Sequence, residues 1–195
     1  MKKITISLIT LFIIIFGFNY GFKKFNFNTN HQIGEKIDSL NGVYIFYNGG
    51  VGNSSGRNIS ADGYNLGLKY QCVEFVKRYY CEYYNHKMPD SYGNAKDFFN
   101  KNLKDGEKNL QRDLLQFSNP SKSKPKIGDL LIYSPSIFNK FGHVAIVSKV
   151  NKNSIEIIQQ NPGPFSKSRE NFDLQKDNGN WNIKNSRILG WLRKE

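Results

Sequence analysis

The stretch Gly67-Leu68-Lys69-Tyr70-Gln71-Cys72-Val73-Glu74-Phe75-Val76 places a cysteine at the start of a strongly patterned helix. Apolar residues recur in steps of three and four, a period that predicts one buried helical face; they are Cys72, Phe75, Val76, Tyr79, Tyr80 and Tyr83. A thiol in the first helical turn lies near unpaired backbone N–H groups and the positive end of the helix dipole, which favour thiolate. Cys72 is therefore a candidate nucleophile, although a lone cysteine at a helix start is more often a small buried apolar residue.

Composition limits the classes of protein to consider. The chain has 195 residues, 38% of them hydrophobic and 14% aromatic, which is enough for one domain with a substantial core. Its formal net charge of +12 suits nucleic acid, anionic lipid or an anionic cell-wall polymer, or merely a soluble basic surface. Because no nucleic-acid-binding motif is present, we expect no nucleic acid partner.

The two cysteines indicate neither a disulfide nor a metal site. Cys72 and Cys81 are nine residues apart on one predicted helix, which sets them on opposite faces where they cannot bond to each other. The sequence also contains no CxxC or HExxH pattern, so it predicts no metal site.

The N-terminal region predicts an export or membrane segment. Residues 1–22 begin with Lys2 and Lys3 and continue as a run rich in Ile, Leu and Phe, typical of a signal peptide or membrane anchor. No small-x-small cleavage pattern follows, which favours an uncleaved anchor. Residues 23–39 are polar, with no aliphatic residue before Ile33, and we interpret them as a tether. Residues 40–195 are then predicted to fold outside the cytoplasm, in a bacterial cell envelope.

The folded part predicts an α+β arrangement of N-terminal helices packed on an antiparallel β-sheet. Early elements are a β-rich run at 42–47, an irregular loop at 48–67, the Cys72 helix, a second helix from Asn94 to Leu103 and a surface excursion at 104–126. Later elements are β-rich runs at 129–133, 143–150 and 154–161, a polar stretch at 166–185 and an edge strand at 188–193.

A cysteine nucleophile needs a base whose pKa lies near neutrality, and histidine is the side chain that supplies one unperturbed. Of the three histidines, His31 lies in the predicted tether, and His86 lies about 20 Å along the helix axis from Cys72. His143 remains, at the start of a predicted strand after Gly142, where glycine allows close backbone approach. A half-exposed packing residue is the commoner role for such a histidine.

The base in turn needs a polar partner on its far ring nitrogen. In an alternating strand Gln159 and Asn161 share one face, whereas Glu156 lies on the other. Gln159 and Asn161 are therefore the candidates, although Asn161 precedes Pro162-Gly163 and would serve a turn equally well. Glu156 would take the role if the register were shifted by one residue.

Four motifs in order resemble the CHAP family, the cysteine, histidine-dependent amidohydrolases/peptidases, over about residues 40–193. These motifs are Gly67 to Phe75, Gly128-Asp129-Leu130-Leu131, Gly142-His143-Val144-Ala145-Ile146-Val147 and Gln159-Gln160-Asn161. The resemblance implies a papain-like fold with Cys72 as nucleophile, His143 as base and the polar pair Gln159 and Asn161 as orienter. Many members carry Glu-Gln-Asn where this chain has Gln159-Gln160-Asn161, so the carboxylate is missing from the third role here.

The resemblance also implies an activity. We expect an exported cysteine amidase or endopeptidase that hydrolyses amide bonds through a thioacyl-enzyme intermediate and needs no metal or cofactor. The backbone N–H of Cys72 and the side chain of Gln71 are candidates to hold the oxyanion. Export and basic charge favour peptidoglycan as substrate.

Two alternatives stay open. The sequence from Leu68 to Phe75 more closely resembles the glutathionylspermidine amidase branch of the family, so glutathionylspermidine is the alternative substrate. A non-catalytic wall-binding module of the same fold is the other alternative, and the retention of Cys72 and His143 argues against it.

Overall fold

The computed structural model describes residues 2–137 and 139–195, and shows a mixed α/β fold with few helices and antiparallel sheets. Its helices are α1 (Lys2–Lys24), α2 (Cys72–Tyr84) and a 3-10 helix (Ala95–Phe98). Its strands are β1 (Lys36–Leu40), β2 (Val43–Phe46), β3 (Arg57–Ile59), β4 (Asn65–Leu68), β5 (Lys108–Asn109), β6 (Leu114–Ser118), β7 (Leu130–Tyr133), β8 (His143–Val150), β9 (Ser154–Ile158), β10 (Arg169–Asp177), β11 (Asn180–Ile183) and β12 (Ile188–Arg193).

Eight strands form one sheet in the order β11-β10-β9-β8-β7-β12-β6-β5, and every neighbouring pair is antiparallel. Strand β8 lies inside this sheet and is buried on both faces. Val144 and Ile146 pack in the cluster that contains α2, and Ala145 and Val147 pack in the cluster on the opposite face. This two-sided packing fixes β8 and therefore the direction of His143, its first residue.

Helix α2 packs on the sheet through the apolar face that the sequence predicted. Phe75, Val76, Tyr79 and Tyr80 are fully buried. Tyr83, predicted to face the core, is instead 49% exposed, because it lies in the last turn, just before the helix ends at Asn85 in a left-handed conformation. Strands β1 and β2 form a separate two-stranded sheet, as do β3 and β4.

Several predicted elements differ from the structure. The predicted helix from Asn94 to Leu103 is a single 3-10 turn, in which Asn94 and Asp97 cap each other's backbone. The predicted loop at 48–67 contains β3 and most of β4, and the polar stretch at 166–185 contains β10 and β11. The last strand, β12, is not at an edge, because it lies between β7 and β6.

The predicted surface excursion at 104–126 also belongs to the main sheet, as β5 and β6. Polar residues there were expected to face solvent, but Arg112 and Gln116 are each 1% exposed. Their side chains donate to backbone carbonyls, Arg112 Nη1 to Asp90 O at 2.5 Å and Gln116 Nε2 to Asn100 O at 2.7 Å. Internal hydrogen bonding therefore makes a polar sequence part of the interior.

The N-terminal region divides into α1 and a segment that contacts the domain. Asn28, in the predicted tether, donates from Nδ2 to Pro164 O at 2.8 Å, and Asn26 accepts from the Tyr47 hydroxyl at 2.8 Å. Residue 1 of the predicted export segment lies outside the described residues. Across the part of the chain that the structure describes, no helix combines the length and the apolar character that crossing a bilayer requires.

Candidate active site

The candidate residues identified from the sequence lie in a cleft of about 1320 Å³. Cys72, His143, Gln159, Asn161 and Gln71 all line it. They come from the start of α2, the start of β8 and the residues just after β9. The structure therefore brings together side chains that are up to 90 residues apart in the chain.

Cys72 is the first residue of α2, and the preceding Gln71 is extended, with no side chain capping the helix. Burial raises the pKa of the Cys72 thiol to about 11, and the backbone N–H groups of Val144, Val73 and Cys72 itself offset this only in part by lowering it. The helix start favours the thiolate, as the sequence predicted, but desolvation of the thiol has the larger effect on its pKa. The contact with the backbone N–H of Val144, which directly follows His143, places the thiol at the start of β8.

His143 faces Gln159, with 2.9 Å between its Nε2 and Gln159 Oε1. Its ring also packs edge-on against Tyr133, with 5.6 Å between the ring centroids. Burial lowers the pKa of His143 to about 4; the hydrogen bond to Gln159 Oε1 raises it and the charge of Arg187 lowers it. At neutral pH the free protein therefore holds a neutral imidazole, the form that accepts a proton.

Gln160, which the sequence did not single out, holds the site together. Its side chain is fully buried and donates from Nε2 to Gln71 O at 2.9 Å and to Glu74 Oε2 at 2.8 Å. Its Oε1 accepts from the Phe46 backbone N–H at 2.8 Å. Gln160, two residues after β9, thus joins the end of β2 to the first turn of α2, the turn that carries Cys72.

Asn161, predicted as a partner of His143, contacts other groups. Its Nδ2 donates to Gln71 Oε1 at 2.7 Å and to Val51 O at 2.9 Å. Strand β9 ends at Ile158 and Asn161 has a φ of 57°, so the alternation of faces used for the prediction does not extend to it. Of the two predicted candidates, the structure places only Gln159 against the imidazole.

Glu156 lies away from His143. Its carboxylate accepts from Ser148 Oγ at 2.8 Å and Arg169 Nη1 at 2.9 Å, and Lys149 Nζ lies 3.3 Å from it. The register shifted by one residue, which would have exchanged Glu156 and Gln159, is therefore not the one that the structure has.

Gln71, the candidate oxyanion donor, directs its amide toward a neighbouring loop. Its Nε2 donates to Asn53 O at 2.8 Å and to Val51 O at 3.3 Å, while its Oε1 accepts from Asn161. Both amide hydrogens thus have backbone acceptors. The N–H groups at the start of α2, which no side chain caps, are therefore the remaining candidates to hold an oxyanion.

A buried ion pair in α2 was also missed from the sequence. Glu74 and Arg78 are 2.6 Å apart between Oε1 and Nε, and their side chains are 3% and 7% exposed. Glu74 Oε1 also accepts from Asn58 Nδ2 at 2.8 Å, which ties the helix to β3. The i,i+4 spacing of the two residues was the available signal.

Basic residues dominate the cleft. Its described lining carries five basic side chains and one carboxylate; these are Arg57, Lys140, Lys167, Arg169, Arg187 and Glu170. Arg169 is paired with Asp38 and Glu156, which leaves four basic side chains facing one acid. Among the described residues, no group of three His, Cys, Asp or Glu side chains is placed to hold a metal ion.

Comparisons with known proteins agree with the motifs. The model of the CHAP domain family matches residues 62–161. Trypanothione synthetase of Crithidia fasciculata is 32% identical over 133 residues, which are 66% of this chain and 20% of that protein. The bifunctional glutathionylspermidine synthetase/amidase of Escherichia coli K12 is 30% identical over 138 residues, 65% of this chain and 22% of that protein. The match therefore spans about a fifth of the length of these relatives.

One solved structure, titled "The crystal structure of Ly7917", aligns with a TM-score of 0.37 and 14% identity, covering 72% of this chain and 56% of that one.

Proposed function

This chain belongs to the CHAP domain family, and on that basis we propose that it is a cysteine-dependent amidase or endopeptidase with a papain-like site. The observation that carries the proposal is the placement of three groups in one cleft. A thiol begins α2, an imidazole begins β8, and an amide after β9 is hydrogen-bonded to that imidazole. A cysteine hydrolase has this arrangement of a nucleophile, a base and a third residue that holds the base in orientation.

The proposed chemistry begins with a neutral pair. With Nε2–H donated to Gln159, Nδ1 of His143 carries the lone pair and takes the thiol proton while Sγ of Cys72 attacks the substrate carbonyl carbon. Because burial favours the neutral forms of both residues, the proton moves during the attack rather than before it. The N–H groups at the start of α2 stabilise the oxyanion.

The second half of the cycle releases the product. The imidazolium of His143 returns its proton to the leaving amine, the C–N bond breaks and a thioester to Cys72 remains. Nδ1 then removes a proton from water as the water oxygen attacks the thioester carbonyl. The C–S bond breaks, the carboxylic acid leaves, and the thiol regains its proton from His143.

For the substrate we propose peptidoglycan. The support is the charge of the cleft, where Arg57, Lys140, Lys167 and Arg187 would attract a peptide that carries carboxylates. The polyamine part of glutathionylspermidine is cationic and would be repelled by the same groups. The second candidate is nevertheless glutathionylspermidine, because one relative is a glutathionylspermidine synthetase/amidase at 30% identity.

We also propose that the N-terminal segment exports the chain and holds it at the membrane of a bacterial cell envelope. The support is the apolar surface of α1, where Leu11, Phe12, Ile13 and Ile14 are each more than half exposed. Such a surface requires a lipid or protein partner. Full-length protein recovered in the cytosol rather than in the membrane fraction would contradict this part of the proposal.

Mass spectrometry of reaction products tests the substrate. Full-length protein in detergent is incubated with purified peptidoglycan and, separately, with glutathionylspermidine, and Cys72→Ala serves as the control. New peptide amines and carboxylates from peptidoglycan are the expected result. Cleavage of glutathionylspermidine alone would favour the second candidate. Cosedimentation with peptidoglycan without any product would favour the non-catalytic module.

A further inference from the structure

We propose that Glu170 is a positioning residue for His143, acting through the amide of Gln159. In this role it replaces, from the adjacent strand, the carboxylate that many family members carry at the position of Gln159. The proposal rests on the proposed function, because it assigns a role within the same site. The Gln159 amide is hydrogen-bonded at both ends, to His143 through its oxygen and to Glu170 through its nitrogen.

The orientation of the Gln159 amide is set by its nitrogen. Nε2 lies 3.4 Å from Glu170 Oε2 and 3.5 Å from Lys167 O, while Oε1 lies 2.9 Å from His143 Nε2. Turning the amide over would point its oxygen at two acceptors, which is unfavourable. With the oxygen held toward the ring, His143 must donate from Nε2, and its other nitrogen is left as the base.

The sheet register places Glu170 for this contact. In the β9–β10 pair Glu170 lies opposite Ile157, which shares its face with Gln159, and the Gln159 backbone N–H donates to Ser168 O at 2.8 Å. Glu170 is therefore a diagonal cross-strand neighbour of Gln159, a separation that long side chains can bridge. The preceding Arg169 points to the other face, where it binds Glu156.

The contact between Gln159 and Glu170 matters because the charge acting on His143 is the positive charge of Arg187. Arg187 disfavours the imidazolium that forms during the reaction, and the amide of Gln159 carries no charge to oppose it. The phenol of Tyr133 from β7 packs against the ring, and the thiol of Cys72 from α2 lies at the backbone N–H of Val144, the next residue in β8. Glu170 is the one carboxylate among the described residues that line the cleft, where the basic side chains without a carboxylate partner are Arg57, Lys140, Lys167 and Arg187.

A positioning role for Glu170 makes the effect of a carboxylate at position 159 depend on the charge at position 170, which a purely structural role does not. Gln159→Glu would put a second carboxylate where the amide nitrogen now lies, 3.4 Å from Glu170 Oε2. Like charges this close are repulsive, so the family's usual residue should work poorly here. The same substitution should be favourable once Glu170 is neutral.

Alkylation of Cys72 by iodoacetamide tests the coupling without any substrate, so the outcome is independent of whether the proposed hydrolysis is found. The full chain in a Cys81→Ser background is compared with Glu170→Gln, Glu170→Asp, Gln159→Glu and the double variant, across pH. Asp173→Asn is the matched control, because Asp173 is an exposed acid on the same strand that does not line the cleft. Circular dichroism verifies that each variant is folded.

We expect Glu170→Gln to slow alkylation at neutral pH by at least about threefold and to displace its pH profile, with Glu170→Asp less affected and Asp173→Asn unchanged. Gln159→Glu should slow the reaction alone and accelerate it in the Glu170→Gln background. Equal effects of Gln159→Glu in both backgrounds, or a Glu170→Gln profile that coincides with that of Asp173→Asn, would overturn the proposal.

Discussion

His143 Nε2 and Gln159 Oε1 lie 2.9 Å apart, at the first residue of β8 and just after the last residue of β9. Both ends of this contact are fixed. His143 begins a strand buried on two faces, and the backbone N–H of Gln159 donates to Ser168 O on the neighbouring segment. The direction of the imidazole therefore depends on the side chain of Gln159 rather than on Asn161 or Glu156.

Removing the Gln159 amide should impair catalysis more than removing either neighbour. We expect Gln159→Ala to lower kcat by about ten- to a hundredfold, the usual loss when the group that orients a functional histidine is removed. Asn161→Ala should have a smaller effect, since its amide holds Gln71 and Val51 O. Steady-state kinetics provide the measurement, with Glu156→Gln as the control that keeps full kcat. A larger loss for Asn161→Ala than for Gln159→Ala would contradict the assignment.

The two cysteines should differ completely in function. Cys72→Ala should abolish hydrolysis and leave the circular dichroism spectrum unchanged, because the thiol is the proposed nucleophile and alanine is well accommodated at the start of a helix. Cys81→Ser should keep most activity, since Cys81 does not line the cleft. Steady-state kinetics measure the difference, and hydrolysis that persists in Cys72→Ala but is lost in Cys81→Ser is the outcome that would exclude Cys72 as nucleophile.

Burial of His143 predicts an acid-tolerant enzyme. Its pKa is lowered to about 4, so the imidazole stays neutral, and able to act as base, at pH values where an ordinary histidine with a pKa of 6.5 would be protonated. The acid limb of kcat/KM, which reports the free enzyme, should accordingly fall near pH 4. A midpoint near 6.5 would mean that the imidazole is solvated.

The same shift affects stability. Between about pH 4 and 6.5 the unfolded chain binds a proton at His143 that the folded chain does not, so the free energy of unfolding should decrease as pH falls through this window. Thermal unfolding at several pH values measures this decrease, and His143→Gln should remove that part of it.

The elements that were predicted well from the sequence are those that pack against the apolar core on one face or on both faces. Strand β8 is observed at His143–Val150, where the sequence predicts it, because an uninterrupted apolar run is typical of a strand that is buried on both faces. The buried face of α2 followed from its helical period. Family membership followed from four short motifs and is confirmed by the family match.

The elements that sequence missed are held by polar contacts, which hydrophobic periodicity does not register. Gln116 in β6 and Gln160 beside α2 are buried and hydrogen-bonded through both ends of their amides, but in sequence they are indistinguishable from surface residues. Asn161 was misplaced because its left-handed backbone ends the strand alternation. Such contacts depend on partners distant in the chain, so a single sequence does not specify them.

The buried ion pair in α2 should contribute strongly to stability. Glu74→Ala would leave the Arg78 guanidinium 7% exposed without its carboxylate, which typically costs about 3–5 kcal/mol in the free energy of unfolding. Chemical denaturation measures the loss. Glu82→Ala, on the exposed side of the same helix, should change it by less than about 0.5 kcal/mol. A Glu74→Ala loss as small as that of Glu82→Ala would show that water reaches the pair.

Gly142, directly before His143, has a φ of 77°, and its backbone lies close to the backbones of Tyr133 and Lys96. A Cβ there would lie 2.7 Å from Tyr133 O and 3.1 Å from Lys96 N, and both atoms belong to backbone that cannot turn aside. Gly179 is a matched control, because its φ is 81° but a Cβ there would meet nothing within 4 Å. The pair therefore separates the cost of a left-handed backbone from the cost of the clash.

Gly179→Ala should lower the free energy of unfolding by about 1 kcal/mol, the ordinary cost of alanine in this conformation, and leave kcat unchanged. Gly142→Ala should cost clearly more, since the start of β8 must move away from β7 and from the 3-10 helix. That movement carries His143 away from Gln159 and Cys72, so kcat should fall at least tenfold. Equal losses of stability in the two variants, with kcat retained in both, would show that β8 does not fix the imidazole.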